Sequence, residues 1–273
     1  MGSLAPQVAR IGRVGGLGYT RPVPAYLAPV LLALLGAIIG SLLATLVLRW
    51  PQGRSVLTGR SACDGCGRTL APRDLVPIAS ALLSRGRCRA CGGHIDPIHW
   101  QVELACAGVG LGAGLSAGDP LHALAGAIFG WLLVTLATLD WRDFWLPDRL
   151  TGLLALAGVG TGLRGLTPGL DERLIGGAAG FAVLWAIARG YRLLRGRDGM
   201  GGGDPKLFGA IGLWLGWRML PPVLLLAGLV GFGIVLFRHL TGRAVARDDA
   251  LPLGTLLAVA AYPAWLVMIG FAP

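Results

Sequence analysis

Charged side chains are scarce in this sequence. Of its 273 residues 14% are charged, whereas a soluble domain has about 25%. The chain is 54% hydrophobic and its mean hydropathy is +0.67. Too few charges remain to cover a water-facing surface of this size, which excludes an ordinary soluble enzyme. A disordered basic tail is excluded as well, because such segments are poor in Leu and Val.

Acidic residues are the rarer of the two signs of charge. The chain holds 14 Asp and Glu against 24 Lys and Arg, a net charge of +10. A strongly basic chain can bind nucleic acid, but the hydrophobicity indicates a lipid bilayer as the partner. We therefore expect no nucleic-acid partner, and the positions of the few carboxylates become informative.

Long apolar runs predict an all-α integral membrane protein with about eight transmembrane helices, because crossing the hydrocarbon layer takes about 20 mostly apolar residues. Two of the runs are short. Glycines at four-residue spacing, as at Gly36/Gly40 and Gly212/Gly216, predict close helix packing in lipid. The predicted spans are Ala25–Leu48, Trp100–Ala117, Leu121–Leu139, Leu150–Leu163, Leu174–Ala188, Leu207–Trp217, Val223–Phe237 and Pro252–Phe271.

The basic residues predict the orientation of these spans. With eight spans, the loops 49–99, 140–149, 189–206 and 238–251 share one side and hold 18 of the 24 Lys and Arg. Lys and Arg mark the cytoplasmic side of a membrane protein. These loops are therefore predicted to be cytoplasmic, and both termini are predicted to be periplasmic.

The first 24 residues are basic and rich in Gly and Pro. They lack the short apolar run and the small-residue cleavage site of a secretory signal. We expect residues 1–24 to be a flexible N-terminal segment and Ala25–Leu48 to be retained as the first transmembrane helix.

Residues 49–99 form the one long polar segment, and it contains two CxxC pairs. Cys63 and Cys66 make the first pair, and Cys88 and Cys91 the second. Two such pairs match a tetrahedral four-thiolate zinc site. Disulfides are rare in the reducing cytoplasm, so we predict a zinc-ribbon-like cytoplasmic loop. A closed site of this kind has no open coordination position, which favours a structural role for the metal.

Two groups of acidic residues lie at the predicted cytoplasmic ends of spans. One contains Asp140 and Asp148, and the other is Gly201-Gly-Gly203-Asp204-Pro-Lys206. A carboxylate at a span end is a functional candidate. Two carboxyls that share one proton are the arrangement of an aspartic protease, in which one activates water and the other binds the scissile carbonyl.

Simpler interpretations of these residues remain open at this point. Asp204 could be a helix N-cap, and Asp148 could be a solvated loop charge. Lys206 could extend to the membrane surface, face a phosphate or stabilise the ionised form of Asp204. A polytopic transporter that uses the acids to bind cations, or a non-catalytic assembly protein organised by the cysteine loop, are the rival function classes.

The motifs together resemble the bacterial prepilin peptidases, membrane aspartic enzymes that process type IV prepilins and the pseudopilins of type II secretion. The resemblance runs from about Gly40 to Gly254. It comprises Gly40-Ser41 with Arg49 and Pro51, the paired CxxC loop, Val102-Glu103, Asp140 with Pro147-Asp148, and Gly201-x-Gly203-Asp204-x-Lys206-Leu207. Trp214-Leu-Gly216 and Leu251-Pro-Leu-Gly254 extend it.

The resemblance implies that Asp140 and Asp204 are the catalytic pair. Gly201, Gly203, Lys206, Asp148 and Glu103 are carried over as supporting residues. It further implies that residues 100–273 are a seven-helix peptidase domain of the bacterial inner membrane. The substrates implied are prepilins or pseudopilins with a basic leader and a transmembrane helix, cut after a glycine on the cytoplasmic side.

Many members of the family also methylate the new N-terminus with S-adenosylmethionine, an activity associated with the cysteine-loop region, here residues 49–99. This sequence departs from the pattern at two places. Ala44 stands where Asn is usual, and Ile98-His99-Trp100 stands where Arg-Tyr-Pro is expected. The resemblance implies methyl transfer as an additional activity. The two departures count against this activity in this chain.

Overall fold

The computed structural model describes residues 26–55, 61–63, 65–242 and 251–270. The N-terminal segment 1–24 lies outside these ranges, so its expected flexibility stays a prediction. Within them the chain folds into helices joined by short connections. The α-helices are Leu27–Arg49 (α1), Ala79–Ser84 (α2), Ile98–Ser116 (α3), Pro120–Asp143 (α4), Asp148–Leu163 (α5), Leu170–Arg195 (α6), Asp204–Leu215 (α7), Leu220–Leu240 (α8) and Leu253–Gly270 (α9).

The predicted all-helical membrane fold is confirmed. Each of the eight predicted spans overlaps one helix, α1 or α3 to α9. Five segments of the described chain are long and apolar enough to cross a membrane: Leu27–Gln52, Pro120–Asp143, Leu170–Arg195, Trp217–Leu240 and Leu253–Gly270. The helix α7 has 12 residues and rises about 18 Å, less than the hydrocarbon thickness of about 30 Å. The number of crossings stays a prediction.

The helices form an inner and an outer group. Most of α7 is buried, including Leu207, Phe208 and Trp214, and α4 and α9 are also largely buried. By contrast, α1, α6 and α8 expose large apolar side chains such as Leu34, Trp185 and Phe232. A continuous apolar exterior of this kind suits contact with lipid. The short helix α7 is therefore an internal element surrounded by longer ones.

Glycines bring the backbones of neighbouring helices into direct contact. A Cβ at Gly40 of α1 would lie 2.7 Å from Cα of Glu103 in α3, and a Cβ at Gly176 of α6 would lie 2.5 Å from the carbonyl oxygen of Gly212 in α7. Side chains at these positions would push the helices apart. The close packing expected at Gly36/Gly40 and at Gly212 is thus present.

Several contacts gather the cysteine loop and the ends of five helices at one end of the bundle. Trp50 and Trp145 pack edge to face with ring centroids 5.6 Å apart. Nη1 of Arg142 lies 3.1 Å from Oδ2 of Asp96. A Cβ at Gly254 would lie 2.8 Å from the side chain of Leu146. The end of α1, the residues before α3, the α4–α5 connection and the start of α9 therefore lie together.

Candidate active site

Asp140 lies in the last turn of α4, and its side chain is buried although the helix ends three residues later. Phe144 ends the helix with a left-handed conformation, φ +48°. The following residues reverse the chain into α5. The carboxylate of Asp140 thus points into the bundle from the end of a mostly apolar helix.

Asp204 is the first residue of α7, and its side chain is also buried. Gly203 occupies the N-cap position, where no side-chain capping bond is formed, so Asp204 does not serve as the N-cap. Two of the glycines before it, Gly201 and Gly203, lie against other side chains. A Cβ at Gly203 would lie 2.7 Å from Cβ of Leu146, and a Cβ at Gly201 would lie 3.1 Å from Oδ2 of Asp204 itself.

The two carboxylates meet beside the first turn of α9. The backbone of Gly254 lies next to both of them. A Cβ at Gly254 would lie 2.9 Å from Oδ2 of Asp140. Helices α4, α7 and α9 therefore bring Asp140 and Asp204 together, although the two are far apart in the sequence.

Thr255 holds the Asp140 carboxylate, and sequence reasoning did not identify it. Its backbone N–H donates to Oδ2 of Asp140 at 2.7 Å. Its hydroxyl lies 3.1 Å from the same oxygen and 3.0 Å from the carbonyl oxygen of Ala137. The sequence feature that could have pointed to Thr255 is its position directly after Pro252-Leu-Gly254, at the start of the last apolar run.

Lys206 pairs with Asp148. Its Nζ lies 2.7 Å from Oδ1 of Asp148, and both side chains are solvent-exposed. Of the three interpretations of Lys206, stabilisation of an ionised Asp204 has no direct contact to support it. The pair joins the first turns of α5 and α7. Its energetic contribution is small, since exposed ion pairs contribute about 0–1 kcal/mol.

Glu103 contacts the cysteine loop. Its side chain is buried in α3, and Oε2 accepts a hydrogen bond from the backbone N–H of Ile78 at 2.7 Å. Ile78 has φ +62°, a conformation that a β-branched residue rarely adopts. The buried carboxylate thus anchors a strained turn of the loop to a membrane helix.

The four predicted cysteine ligands form a compact cluster. Their Sγ atoms all lie within 4.8 Å of one another, and those of Cys63 and Cys91 are 3.9 Å apart. A tetrahedral zinc site with Zn–S bonds of about 2.3 Å places its sulfurs about 3.8 Å apart. All four thiols are free. The donor set and its spacing therefore fit a four-thiolate metal site.

The local fold explains how each cysteine pair is presented. The N–H of Gly67 donates to the carbonyl of Cys63 at 2.8 Å, and the N–H of Gly92 donates to that of Cys88 at 2.9 Å. Both glycines have positive φ, which closes a tight turn. Backbone N–H groups of Cys91 and Ala90, with the Cys63 thiol, lower the pKa of Cys88 to about 6. Against the backbone N–H of Gly93, the neighbouring thiols raise the pKa of Cys91 to about 11, so the thiols of the cluster act on one another.

The loop is also attached to the helices by Asp96. Burial opposes the charged form of Asp96, but the backbone N–H of Ile98 and the Arg142 guanidinium outweigh it and lower its pKa. Arg142 lies two residues after Asp140 in α4. The cysteine loop is therefore connected through an ion pair to the helix end that carries the first aspartate.

Comparison with known proteins identifies relatives over most of the chain. Residues 127–236 match the type IV leader peptidase family, and residues 34–116 match the bacterial Peptidase A24 N-terminal domain. No solved structure matches.

Three curated relatives are each named prepilin leader peptidase/N-methyltransferase. The protein of Aeromonas hydrophila is 36% identical over 216 residues, covering 78% of this chain and 73% of its own. That of Burkholderia pseudomallei (strain 1026b) is 37% identical over 208 residues, covering 76% and 67%. That of Dickeya chrysanthemi is 37% identical over 227 residues, covering 82% and 76%. With this identity over most of both lengths, the chain belongs to the type IV prepilin leader peptidase/N-methyltransferase family of aspartic endopeptidases.

Proposed function

We propose that this chain cleaves the leader peptide of type IV prepilins or type II secretion pseudopilins after a glycine, with Asp140 and Asp204 as the catalytic pair. The observation that carries the proposal is the meeting of two buried carboxylates from α4 and α7 beside Gly254. Leader cleavage is the activity named for the curated relatives. The substrate and the roles of the two aspartates are the proposed part.

The proposed chemistry uses the pair in unequal protonation states, since two adjacent carboxyls do not both ionise readily. The ionised carboxylate takes a proton from water, whose oxygen attacks the carbonyl carbon of the scissile bond. The protonated carboxyl donates a hydrogen bond to the oxygen of the scissile carbonyl. When the intermediate collapses, the C–N bond breaks and the leaving amine takes up a proton from the pair.

Glycines allow close packing around the pair. Gly201, Gly203 and Gly254 each lie so close to Asp204, Leu146 or Asp140 that a Cβ would make a contact of 3.1 Å or less. The absence of side chains there lets the α4–α5 connection and the first turn of α9 pack against the pair without crowding the carboxyls. We assign Gly201 and Gly203 this role, and we assign Asp148, Lys206 and Glu103 roles in positioning the surrounding helices and loop.

We further propose that the end of the bundle carrying the pair faces the cytoplasm and that both termini are periplasmic. The loops on this side carry 18 of the 24 Lys and Arg, which is the expected bias of cytoplasmic loops. The bacterial inner membrane is the corresponding location. A basic leader on this side would meet the acidic pair at the membrane surface.

Zinc is the proposed ligand of Cys63, Cys66, Cys88 and Cys91. When bound to four thiolates, zinc cross-links the two turns of the loop and has no open position for catalysis. Metal analysis of the purified protein should find about one zinc per chain, and Cys63→Ser should lower that content. A protein whose loop resists proteolysis equally well after removal of all metal would contradict the assignment.

Methylation of the new N-terminus with S-adenosylmethionine is a second candidate function. Residues 34–116, which include the cysteine loop, match the family's N-terminal domain. Mass spectrometry of a co-expressed prepilin tests it, because leader removal and an added methyl group appear in one spectrum. A cleaved but unmethylated product would show that this chain, with its Ala44 and Ile98-His99-Trp100, acts as a peptidase alone.

Asparagine substitutions test the catalytic pair. Asp140→Asn and Asp204→Asn should each abolish leader cleavage without loss of membrane-inserted protein, because the amide cannot exchange the required proton. Asp143→Asn is the matched control, since Asp143 is an exposed residue on the same helix as Asp140. Normal processing by either of the first two variants would contradict the assignment.

The same variants separate the rival classes. A transporter predicts ion flux in liposomes that depends on Asp140 and Asp204 and predicts no cleavage. The aspartates lie at one end of the bundle, away from the mid-bilayer position that such sites favour. An assembly protein organised by the cysteine loop predicts that Cys63→Ser impairs secretion or piliation more than Asp204→Asn does.

A further inference from the structure

Four large apolar side chains are exposed on the otherwise polar cysteine loop. Leu75 and Val76 lie in the turn before α2 and are exposed, and Leu82 and Leu83 lie in α2 and are 73% and 78% exposed. Single exposed apolar side chains are common on protein surfaces, whereas a cluster of them marks a contact surface. We refer to residues 75–83 as the apolar segment of the loop.

Packing within the protein does little to stabilise α2. The helix has six residues, and none of them is buried. Helices shorter than about 12 residues are marginal in water and depend on the packing of an apolar face. The leucines of α2 point away from the described parts of the protein, since they are its most exposed residues. An apolar environment outside the protein would supply the missing packing.

The hydrogen bond between Glu103 and Ile78 indicates how deep the apolar segment lies. Glu103 is level with Gly40 of α1, where a Cβ would lie 2.7 Å from the Glu103 Cα. Gly40 is nine residues before Arg49, the last residue of α1, which corresponds to about 14 Å along the helix axis. The Glu103 side chain tilts back toward the start of α3 and accepts from the Ile78 N–H at 2.7 Å. The turn at Ile78 therefore lies deeper than the end of α1.

The neighbouring surface of α3 has the composition of a membrane interface. Trp100 is exposed in the first turn of α3, three residues before Glu103, and tryptophan is enriched at the boundary between membrane and water. Leu104, the residue after Glu103, is also exposed. The turn at Ile78 is thus bound to α3 at the level where the exposed surface of that helix becomes apolar.

The charges around the apolar segment suit anionic lipid headgroups. Residues 65–92 contain five Arg and one Asp, and Asp74 already pairs with Arg89 at 3.3 Å. Arg73 and Arg85 are exposed on either side of the four apolar residues. Anionic lipids of the cytoplasmic leaflet attract basic segments, and basic residues beside an apolar face are typical of helices that lie in the interface. Lipid therefore matches both the apolar and the charged part of this surface.

We propose that the apolar segment inserts into the cytoplasmic leaflet and anchors the cysteine loop to the membrane surface. Leu82 and Leu83 occupy the boundary between headgroups and acyl chains, and Arg73 and Arg85 contact lipid phosphates. The partner is the bilayer that surrounds the protein. This contact does not depend on the proposed peptidase activity, so the two are tested separately.

Photo-cross-linking tests the insertion. The photoreactive amino acid p-benzoylphenylalanine is placed at position 83, 232 or 69 of the full chain in nanodiscs of phosphatidylethanolamine and phosphatidylglycerol. Phe232 is exposed on α8 and is the lipid-facing reference, and Thr69 is an exposed polar residue of the same loop. Mass spectrometry detects the added mass of one phospholipid on the labelled peptide. We expect this adduct at positions 83 and 232 and none at position 69.

Two results of this experiment would overturn the insertion. One is the lack of a lipid adduct at position 83 when position 232 forms one, and this includes cross-linking to a protein chain in place of lipid. The other is an equal yield at positions 69 and 83, which would mean that the apolar segment makes no special contact. If the label at position 83 prevents folding, position 82 decides by the same adduct.

A charge in the apolar segment gives a second measure. Leu83→Glu should speed amide hydrogen exchange in α2 in the same nanodiscs by about tenfold or more, since burial of one leucine corresponds to about that factor in an equilibrium constant. Thr69→Glu adds the same charge to the loop and should leave exchange in α2 unchanged. Unchanged exchange in Leu83→Glu would show that α2 faces water and would contradict the proposal.

Discussion

The residues that hold the candidate dyad are not themselves acidic. The Thr255 hydroxyl has one proton and lies within hydrogen-bond distance of both Asp140 Oδ2 and the carbonyl of Ala137. When Asp140 is ionised, the hydroxyl can donate to it. When Asp140 is protonated, the carboxyl can donate to the hydroxyl, which then donates to Ala137. Thr255 can thus hold Asp140 in one orientation through both states.

Substitution of Thr255 should therefore affect turnover more than substrate binding. Thr255→Val keeps the backbone N–H and loses the hydroxyl, and we expect kcat to fall about tenfold with little change in KM, since hydrogen bonds to charged groups contribute about 1.5–3 kcal/mol. Thr255→Ser should restore kcat. A Val variant with full kcat, or a Ser variant as slow as Val, would show that Thr255 does not position Asp140.

A second internal polar residue, Arg173, organises the opposite end of the bundle. It is 2% exposed, and its guanidinium donates to the carbonyls of Pro168, Gly158 and Leu213 at 2.8–3.1 Å. These acceptors belong to the ends of α5 and α7 and to the connection before α6. Arg173 is one of the six Lys and Arg that lie outside the four basic loops of the charge count, and the structure buries it as a helix connector.

Replacement of Arg173 should destabilise the protein. Arg173→Met keeps an apolar stem and leaves several buried carbonyls without a donor, each at about 1–3 kcal/mol. Thermal unfolding in detergent should show a clear loss of stability, and Arg173→Lys should recover little, since an ammonium cannot reproduce the planar fork. Arg218→Met, an exposed residue near the same end, is the control and should unfold like the wild type.

At the scale of helices, the connection before α7 decides where Asp204 lies. The three glycines directly before Asp204 differ in their surroundings. A Cβ at Gly203 would meet Leu146 at 2.7 Å, whereas a Cβ at Gly202 would have no atom within 4 Å. Leu146 belongs to the connection that follows Asp140. A side chain at position 203 would therefore separate the two helix ends that carry the carboxyls.

This contrast gives a matched pair of alanine variants. Gly203→Ala should lower kcat/KM for leader cleavage by about tenfold or more, because misplacement of catalytic groups by about 1 Å can reduce rates up to a hundredfold. Gly202→Ala should retain near-normal activity. Both proteins should insert into the membrane to the same extent. Equal activity of the two variants would mean that the contact with Leu146 does not set the dyad geometry.

Helix ends were also where sequence reasoning was least accurate. The predicted span Leu121–Leu139 stops before Asp140, whereas α4 continues to Asp143 and includes it. The predicted span Leu207–Trp217 begins after Asp204, whereas α7 starts at that residue and ends at Leu215. Hydropathy marks the apolar part of a helix. The polar last turn, ended by Phe144 in a left-handed conformation, leaves no hydropathy signal.

At the scale of the whole molecule, the connections after α6 and after α5 lie at opposite ends of the bundle. The α6–α7 connection precedes Asp204, and the α5–α6 connection lies beside the Arg173 side chain. Basic residues are concentrated in the loops at the end of the bundle that carries the α6–α7 connection. The orientation proposed above therefore places the dyad, the cysteine loop and the Asp96–Arg142 pair on the cytoplasmic side.

Reporter fusions test this orientation. Alkaline phosphatase, which is active in the periplasm alone, should be inactive when fused after Gly196 and active when fused after Gly165. Both positions are turns between helices and have positive φ. A cytoplasmic reporter at the same two positions serves as the control and should give the opposite pattern. Phosphatase activity after Gly196 would reverse the proposed topology.

The sequence by itself determined the membrane class, the helical fold, the four-cysteine site and the identity of the two aspartates as candidates. Each of these depends on composition or on short spacing, which physical chemistry connects directly to lipid, helix or metal. The tertiary structure alone decided that Gly254 and Thr255 of α9 hold the dyad, that Lys206 pairs with Asp148 and that Arg173 is internal. These contacts join residues distant in sequence, and glycine-mediated helix packing determines which helix ends meet.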